Sequence, residues 1–205
     1  MIGLHHYELL DRIPSPGSEG DRYKHLRSSL PPAKSGDWKV EKFTIEKDLW
    51  LLRMMRDGRG TPPGEYTQLA HRGHVVMSDT NAEIEDLHSF FERAKGRVLI
   101  HGLGLGIALQ GALANPKVKS VDVVELSADV IALVGSHFID DRLTIHLADC
   151  RTKRWPRVKK WDVVWHDIWP DICGDNVDEM DLLRERFRLK CKWQGCWAER
   201  LARQG

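Results

Sequence analysis

Residues 97–126, RVLIHGLGLGIALQGALANPKVKSVDVVEL, decide the fold of this chain. Residues 97–100 are a short apolar run closed at once by glycines, which favours a buried strand over a helix. Ile107, Leu109 and Leu113 then begin a helix, which Asn115-Pro116 ends before a second strand over 120–126. The stretch therefore predicts strand, glycine turn, helix and strand.

The turn contains three glycines, Gly102, Gly104 and Gly106. Without a Cβ atom, glycine lets the main chain approach a ligand closely, and the following helix presents unpaired N–H groups to it. The dinucleotide fingerprint needs its third glycine where this chain has Ile107, so a nicotinamide or flavin dinucleotide is disfavoured. The alternative is a tight strand-to-helix turn without a ligand.

An acidic residue, Glu125, ends the second strand nineteen positions after Gly106. A carboxylate there can accept both hydroxyl hydrogens of a ribose, each bond contributing about 1.5–3 kcal/mol. Because turn, spacing and terminal acid agree, we expect a nucleoside-type cofactor rather than an empty turn.

Helical and strand patterns continue to alternate after Glu125. A helix over 128–138 is followed by a third strand over 143–147, which Asp149 closes, and by a fourth over 161–168, which contains Asp167. Such alternation predicts an α/β, Rossmann-like, open and mainly parallel sheet of about four core strands, with ligands at the carboxyl ends. Four candidate ligand positions fall at those ends: Gly102, Glu125, Asp149 and Asp167.

The residues before this region predict a small antiparallel β appendage. Between 38 and 78, alternating apolar and polar residues form three or four runs separated by glycine and proline clusters. A helix is predicted over 79–95, with Ser78 or Asp79 as its cap. We expect residues 1–78 to hold the appendage and 79–205 to form the Rossmann-like domain with C-terminal helices.

Composition narrows the class of protein. The 205 residues suit one principal core, and the net charge of +1 gives no strong signal for nucleic acid. No apolar run reaches the ~18 residues of a membrane span, and residues 1–14 lack an export leader, so we expect a cytoplasmic protein. The four cysteines lack Cys-x-x-Cys spacing, which favours free thiols over a metal site.

The last third of the chain separates its charges. Residues 162–181 contain seven acids and no Lys or Arg, whereas 184–205 contain seven bases and two acids. The acids either form a mouth for a cationic substrate or, as we favour for 175–181, begin a helix whose dipole they suit. Six tryptophans in this part of the chain are expected to pack in the core or in a lid, except Trp169, which lies just past a strand end and is the best candidate to stack on a ligand. His166 is either a general base or a structural histidine.

Residues 97–168 resemble the cofactor half of the class I S-adenosylmethionine-dependent methyltransferases, and 65–172 are similar to the spermidine synthase branch of that superfamily. The resemblance implies that Gly102, Gly104 and Gly106 surround the amino acid end of the cofactor and that Glu125 binds its ribose. It also implies that Asp149 reads the adenine amino group and that Asp167 accepts a proton from the attacking amine.

The chain also departs from that branch. Leu105 stands where the branch has an aspartate for the aminopropyl amine, and the chain ends 37 residues after Ile168. We therefore expect the three further strands of such folds to be missing, residues 176–203 to be mainly helical, and the fourth strand to have an open edge. A homodimer or the N-terminal segment would cover that edge.

These observations predict an S-adenosylmethionine-dependent methyltransferase acting on an unidentified small or amine-containing acceptor, with Asp167 taking a proton and no metal. Aminopropyl transfer is the alternative among enzymes. A protein of the same fold that binds a nucleoside or a partner without turnover is the alternative outside them.

Overall fold

A computed structural model describes residues 20–46 and 61–204, which form two separate β-sheets. The first is antiparallel, with strand order β1-β2-β3-β4, and confirms the predicted appendage. The run predicted within 49–59 lies outside the described residues. The strands of the antiparallel sheet are β1 Ala33–Ser35, β2 Trp38–Ile45, β3 Gly64–His71 and β4 His74–Ser78.

The second sheet has five parallel strands in the order β7-β6-β5-β8-β9, which confirms the Rossmann-like α/β class. Its strands are β5 Gly96–His101, β6 Val118–Glu125, β7 Leu143–Leu147, β8 Trp161–His166 and β9 Cys191–Cys196. The helices are α1 Asn81–Asp86, α2 His88–Arg93, α3 Ile107–Ala114, α4 Ala128–Leu133, α5 Val177–Phe187 and α6 Glu199–Ala202. Among the residues described, no helix is long and apolar enough to span a membrane.

Strand β5 is the central strand of the parallel sheet, and both of its faces are apolar. Val98 and Ile100 belong to the larger cluster of buried side chains, and Leu99 belongs to a second cluster on the other face. Side chains alternate between faces along a strand, so a strand buried on both sides reads as one continuous apolar run. This run is what made the strand predictable.

Strand β9 corrects the prediction of about four core strands with an open fourth edge. It pairs in parallel with β8, with Val163 opposite Trp193 and His166 opposite Cys196. The polar residues of this edge strand have partners on β8: Lys192 pairs with Asp162 at 2.6 Å, and Gln194 lies 3.2 Å from His166. The open edge is therefore absent from β8, and the homodimer stays a prediction without that support.

The helices lie where they were predicted, but they differ in length from the prediction. The helix expected over 79–95 is divided at Leu87 into α1 and α2, and the one expected over 128–138 ends as α4 at Leu133 before a short 3₁₀ turn. Helix α5 confirms the predicted apolar stripe, because Met180, Leu183 and Phe187 are all buried.

Two histidines lie completely buried at the ends of β5 and β8. The Nδ1 atoms of His101 and His166 are 2.9 Å apart, and both rings contact Phe187. Burial lowers the pKa of His166 to about 4 and that of His101 well below its ordinary value. The pair is therefore neutral in the folded protein, with one proton between the facing nitrogens.

This pair predicts an acid-sensitive stability. Both folded-state pKa values lie below the unfolded value of about 6.5, so the unfolded chain takes up protons first and stability falls as the pH decreases from about 6.5 towards 4. Replacing His166 by Gln should make this fall smaller. Urea unfolding of both proteins at several pH values in this window measures it, and parallel pH profiles would contradict the prediction.

Candidate functional site

One cavity of about 290 Å³ lies at the carboxyl ends of the parallel strands. Strands β5, β6, β7 and β8 each deliver a residue to its wall, because parallel strands place their carboxyl ends at the same edge of a sheet. Five of the six residues singled out in the sequence line it: Gly102, Gly104, Glu125, Asp149 and Asp167.

Gly102 lies where β5, β6 and β8 meet. Its N–H donates to the carbonyl of Val124 at 2.8 Å, and the N–H of Asp167 donates to the carbonyl of His101 at 2.9 Å. With φ of +88°, a Cβ at this position would overlap the carbonyl oxygen of Asp167. Only glycine allows the ends of β5 and β8 to approach this closely.

Gly106, the sixth predicted residue, does not line the cavity. It precedes α3, and a Cβ there would lie 2.5 Å from the ring of Phe138. The described geometry thus gives Gly106 a packing contact with Phe138.

Glu125 is a buried carboxylate that ties the glycine turn to the next loop. One oxygen accepts the N–H of Leu103 and the other accepts the N–H of Ser127, both at 2.8 Å. Each carboxylate oxygen has two acceptor directions, so one remains on each for a ligand hydroxyl.

Asp149 follows β7 and forms the rim of the cavity together with Arg151. Its side chain accepts the N–H of Arg151 at 2.8 Å. The guanidinium of Arg151 in turn pairs with Glu179 of α5 at 2.5 Å, and Glu179 accepts the indole N–H of Trp169 at 2.8 Å. Trp169, predicted to lie at the ligand crevice, is buried and lines the cavity.

Asp167 and Glu83 lie in the opposite wall of the cavity, and the pKa values of their carboxyl groups are unusual. Burial raises the pKa of both carboxyl groups to about 7, with neighbouring acids adding to the effect. Glu83 is held by Ser78, whose N–H and hydroxyl donate to its two oxygens at 2.8 and 2.6 Å. Neither carboxyl contacts a cationic side chain among the described residues. A carboxyl with a pKa near neutrality can exchange a proton at physiological pH.

The sequence did not reveal Glu83 or the roof of the cavity. The roof comes from the antiparallel sheet, where Trp38 and His71 stack with ring centroids 4.5 Å apart, and Met77 accepts the N–H of Leu105 through its sulfur at 3.3 Å. These residues follow no motif spacing, because another sheet positions them. Leu105 itself is buried in the core.

A second cavity, of about 500 Å³, adjoins the first. The two share the side chains of Val76, Glu83, Pro170 and Trp197. Glu83 therefore lies in the wall that the two cavities share. Cys150 also lines the first cavity, and burial raises the pKa of its thiol to about 11, so it is protonated at neutral pH.

Comparison with known proteins gives similarity only to solved structures. No protein-family model matches the chain, and no curated protein matches its sequence. The spermidine synthase of Thermotoga maritima is 18% identical, over 70% of this chain and 48% of its own, with a TM-score of 0.42. An S-adenosylmethionine-dependent methyltransferase from Mesorhizobium loti is 18% identical, over 40% of each chain, with a TM-score of 0.35.

The plantazolicin methyltransferase BpumL, in complex with SAH, is 15% identical over 53% of this chain and 41% of its own, with a TM-score of 0.39. This chain thus spans less than half the length of each of these three structures. Likeness at this level concerns the fold alone, and the geometry of the cavity has to carry any statement of function.

The Gly102 contact predicts a large cost for Gly102→Ala. The matched control is Gly73→Ala, because Gly73 has a similar φ of +84° but nothing within 4 Å of a Cβ added there. Gly73→Ala should cost about 1 kcal/mol of unfolding free energy from backbone strain, and Gly102→Ala at least about 2 kcal/mol more. Denaturant unfolding measures both, and equal losses would show that the strand contact has no special role.

Proposed function

We propose that this protein is an S-adenosylmethionine-dependent methyltransferase. The observation that carries the proposal is the convergence of Gly102, Glu125, Asp149 and Asp167 on one cavity at the carboxyl ends of four parallel strands. Strand ends of an open parallel sheet are where nucleotide-like ligands bind in such folds.

The residues present fit the cofactor. Gly102 and Gly104 of the turn line the cavity, and the Glu125 oxygens each keep one acceptor direction for the ribose hydroxyls. Asp149 would accept the adenine amino group at the rim. When bound, S-adenosylmethionine would supply a methyl carbon activated by its sulfonium.

The chain contributes positioning and a proton acceptor. A methyl transfer requires an aligned nucleophile in a desolvated site, and holding reactants in line can contribute about 7–11 kcal/mol. Asp167 would take the proton of the acceptor, because its pKa of about 7 suits a base at neutral pH. Glu83 is a second acid in the same wall, placed to orient the acceptor.

We infer that the acceptor is an amine that enters through the second cavity. Two carboxyl groups of raised pKa ionise more readily beside a positive charge, so a protonated amine would be attracted to Glu83 and Asp167. The shared wall at Glu83 and Pro170 connects the entrance with the cofactor space.

Aminopropyl transfer is the second candidate, favoured by the same acidic wall. Leu105 argues against it. Its side chain is 1% exposed and packs in the core, so it offers no carboxylate to the amine of a decarboxylated cofactor. Binding without turnover is the remaining alternative, and a transfer assay separates it from both.

Titration calorimetry should detect binding of S-adenosylhomocysteine to the parent protein. Glu125→Gln should bind it at least tenfold more weakly, a loss of about 1.4 kcal/mol, because one acceptor oxygen becomes an N–H₂ donor. Asp141→Asn, which removes an exposed acid elsewhere, is the control and should bind like the parent. Equal affinity of Glu125→Gln and the parent would contradict the ribose role. Tighter binding of decarboxylated S-adenosylmethionine than of the intact cofactor would favour aminopropyl transfer.

Asp167→Asn should abolish transfer yet stabilise the fold at alkaline pH. Because the folded-state pKa is raised to about 7, above the unfolded value of about 3.9, the ionisation of Asp167 lowers stability as the pH rises from about 4 to 7. The variant should therefore gain about 1–3 kcal/mol of unfolding free energy at pH near 8 and little near 4. Urea unfolding at the two pH values measures this, with exposed Asp171→Asn as the control. An equal change at both pH values would contradict the raised pKa.

A further inference from the structure

The loop between β7 and β8 carries a dense positive charge. Residues 151–160, RTKRWPRVKK, contain six bases and no acid. The segment 184–192 adds five bases and one acid. The net charge of +1 for the whole chain hides this local excess.

The two segments form one surface. Arg186 donates hydrogen bonds to the carbonyls of Cys150 and Lys153, at 3.1 and 2.6 Å, and Lys190 donates to the carbonyl of Pro156 at 3.3 Å. The end of α5 and the start of β9 are thereby joined to the loop. The sequence alone separates these segments by more than twenty positions.

Some of the cations on this surface are neutralised and others are not. Lys159 pairs with Asp122, Arg188 with Glu185 and Lys192 with Asp162. Six others have no acidic partner within the described part of the chain, and we call them the basic face: Lys153, Arg154, Arg157, Lys160, Arg186 and Lys190.

We propose that the basic face binds the phosphate backbone of RNA. Arg and Lys side chains free of acidic partners bind a phosphate backbone by releasing its counterions, and this term is independent of sequence. The surface is preorganised for it, because Asp122 fixes the base of the loop by accepting from Trp161, Lys159 and His146 at 2.8–2.9 Å.

The surface suits an acidic protein or an anionic membrane less well. A protein partner needs a cluster of apolar anchors, but the two segments expose only the small aliphatic side chains Val158 and Leu189 among the described residues, and Trp155 is packed edge-on against His146 and Trp161. Membrane insertion needs an amphipathic helix, and residues 151–160 form turns and irregular structure. Neither of the two cavities includes a residue of the basic face.

Fluorescence anisotropy with a labelled, unstructured RNA of about 20 nucleotides tests the proposal between about 50 and 200 mM salt. The chain should bind with a dissociation constant in the micromolar range at low salt. The variant R154Q/R157Q/K160Q changes three exposed side chains. It should bind at least about tenfold more weakly and reduce the slope of log K against log salt by about 2.

The control is K95Q/K117Q/K119Q, which makes the same change in net charge at exposed lysines outside the basic face. It should stay within about twofold of the parent. R157Q alone changes a side chain with no hydrogen bond among the described residues, so the fold should tolerate it. It should reduce the slope of log K against log salt by about 0.7, which separates loss of binding from misfolding of the triple variant.

Absence of RNA binding at low salt, equal weakening in the control, or tighter binding to anionic vesicles or to polyglutamate than to RNA would overturn the proposal. The measurement needs neither cofactor nor turnover. Its failure would therefore leave the proposed methyl transfer untouched, and the failure of methyl transfer would leave it intact.

Discussion

The carboxylate of Glu125 is the interaction on which the cavity depends. Its two oxygens accept the N–H groups of Leu103 and Ser127, so a single buried side chain fixes both the glycine turn and the loop that begins α4. A buried charge is tolerated only where hydrogen bonds satisfy it, and here the backbone provides them. Glu125 also lines the cavity, so its structural role and its proposed binding role rest on the same side chain.

Gly102 adds a steric constraint to this electrostatic one. The carbonyl of Asp167 lies where a side chain at Gly102 would be, so the position of the proposed base follows directly from the absence of a Cβ on the neighbouring strand. Both residues are the first after their strands, and His101 and His166, just before them, form the buried pair on the opposite face. Packing of the two strand ends therefore sets the protonation of the core histidines and the geometry of the cavity together.

The sequence revealed the parts of the fold that local patterns encode. Strands β5 to β8, α3 and the strand-end residues Glu125, Asp149 and Asp167 follow from apolar runs and the residues that end them. The expectation that residues 176–203 are mainly helical was wrong at β9, where Cys191, Lys192, Trp193 and Gln194 alternate apolar and polar residues as a short strand does. The partners of Lys192 and Gln194 on β8 are known only from the fold. Glu83, Trp38 and His71 were missed because they reach the cavity from elements far away in sequence, which no spacing encodes.

Charge is distributed unevenly around the cavity, and this gives its two sides different tasks. On the side of Glu125 and Asp149, Glu125 accepts two backbone N–H groups and Arg151 pairs with Glu179, so these charges are largely compensated within the chain. On the other side, Glu83 and Asp167 have no cationic partner among the described residues. In a site with little water, uncompensated carboxyl groups attract a cation more strongly than compensated ones do. Arg151 lies beside Asp149 and begins the basic loop, so a phosphate backbone would be drawn to the basic face and a cationic acceptor to the wall of Glu83 and Asp167.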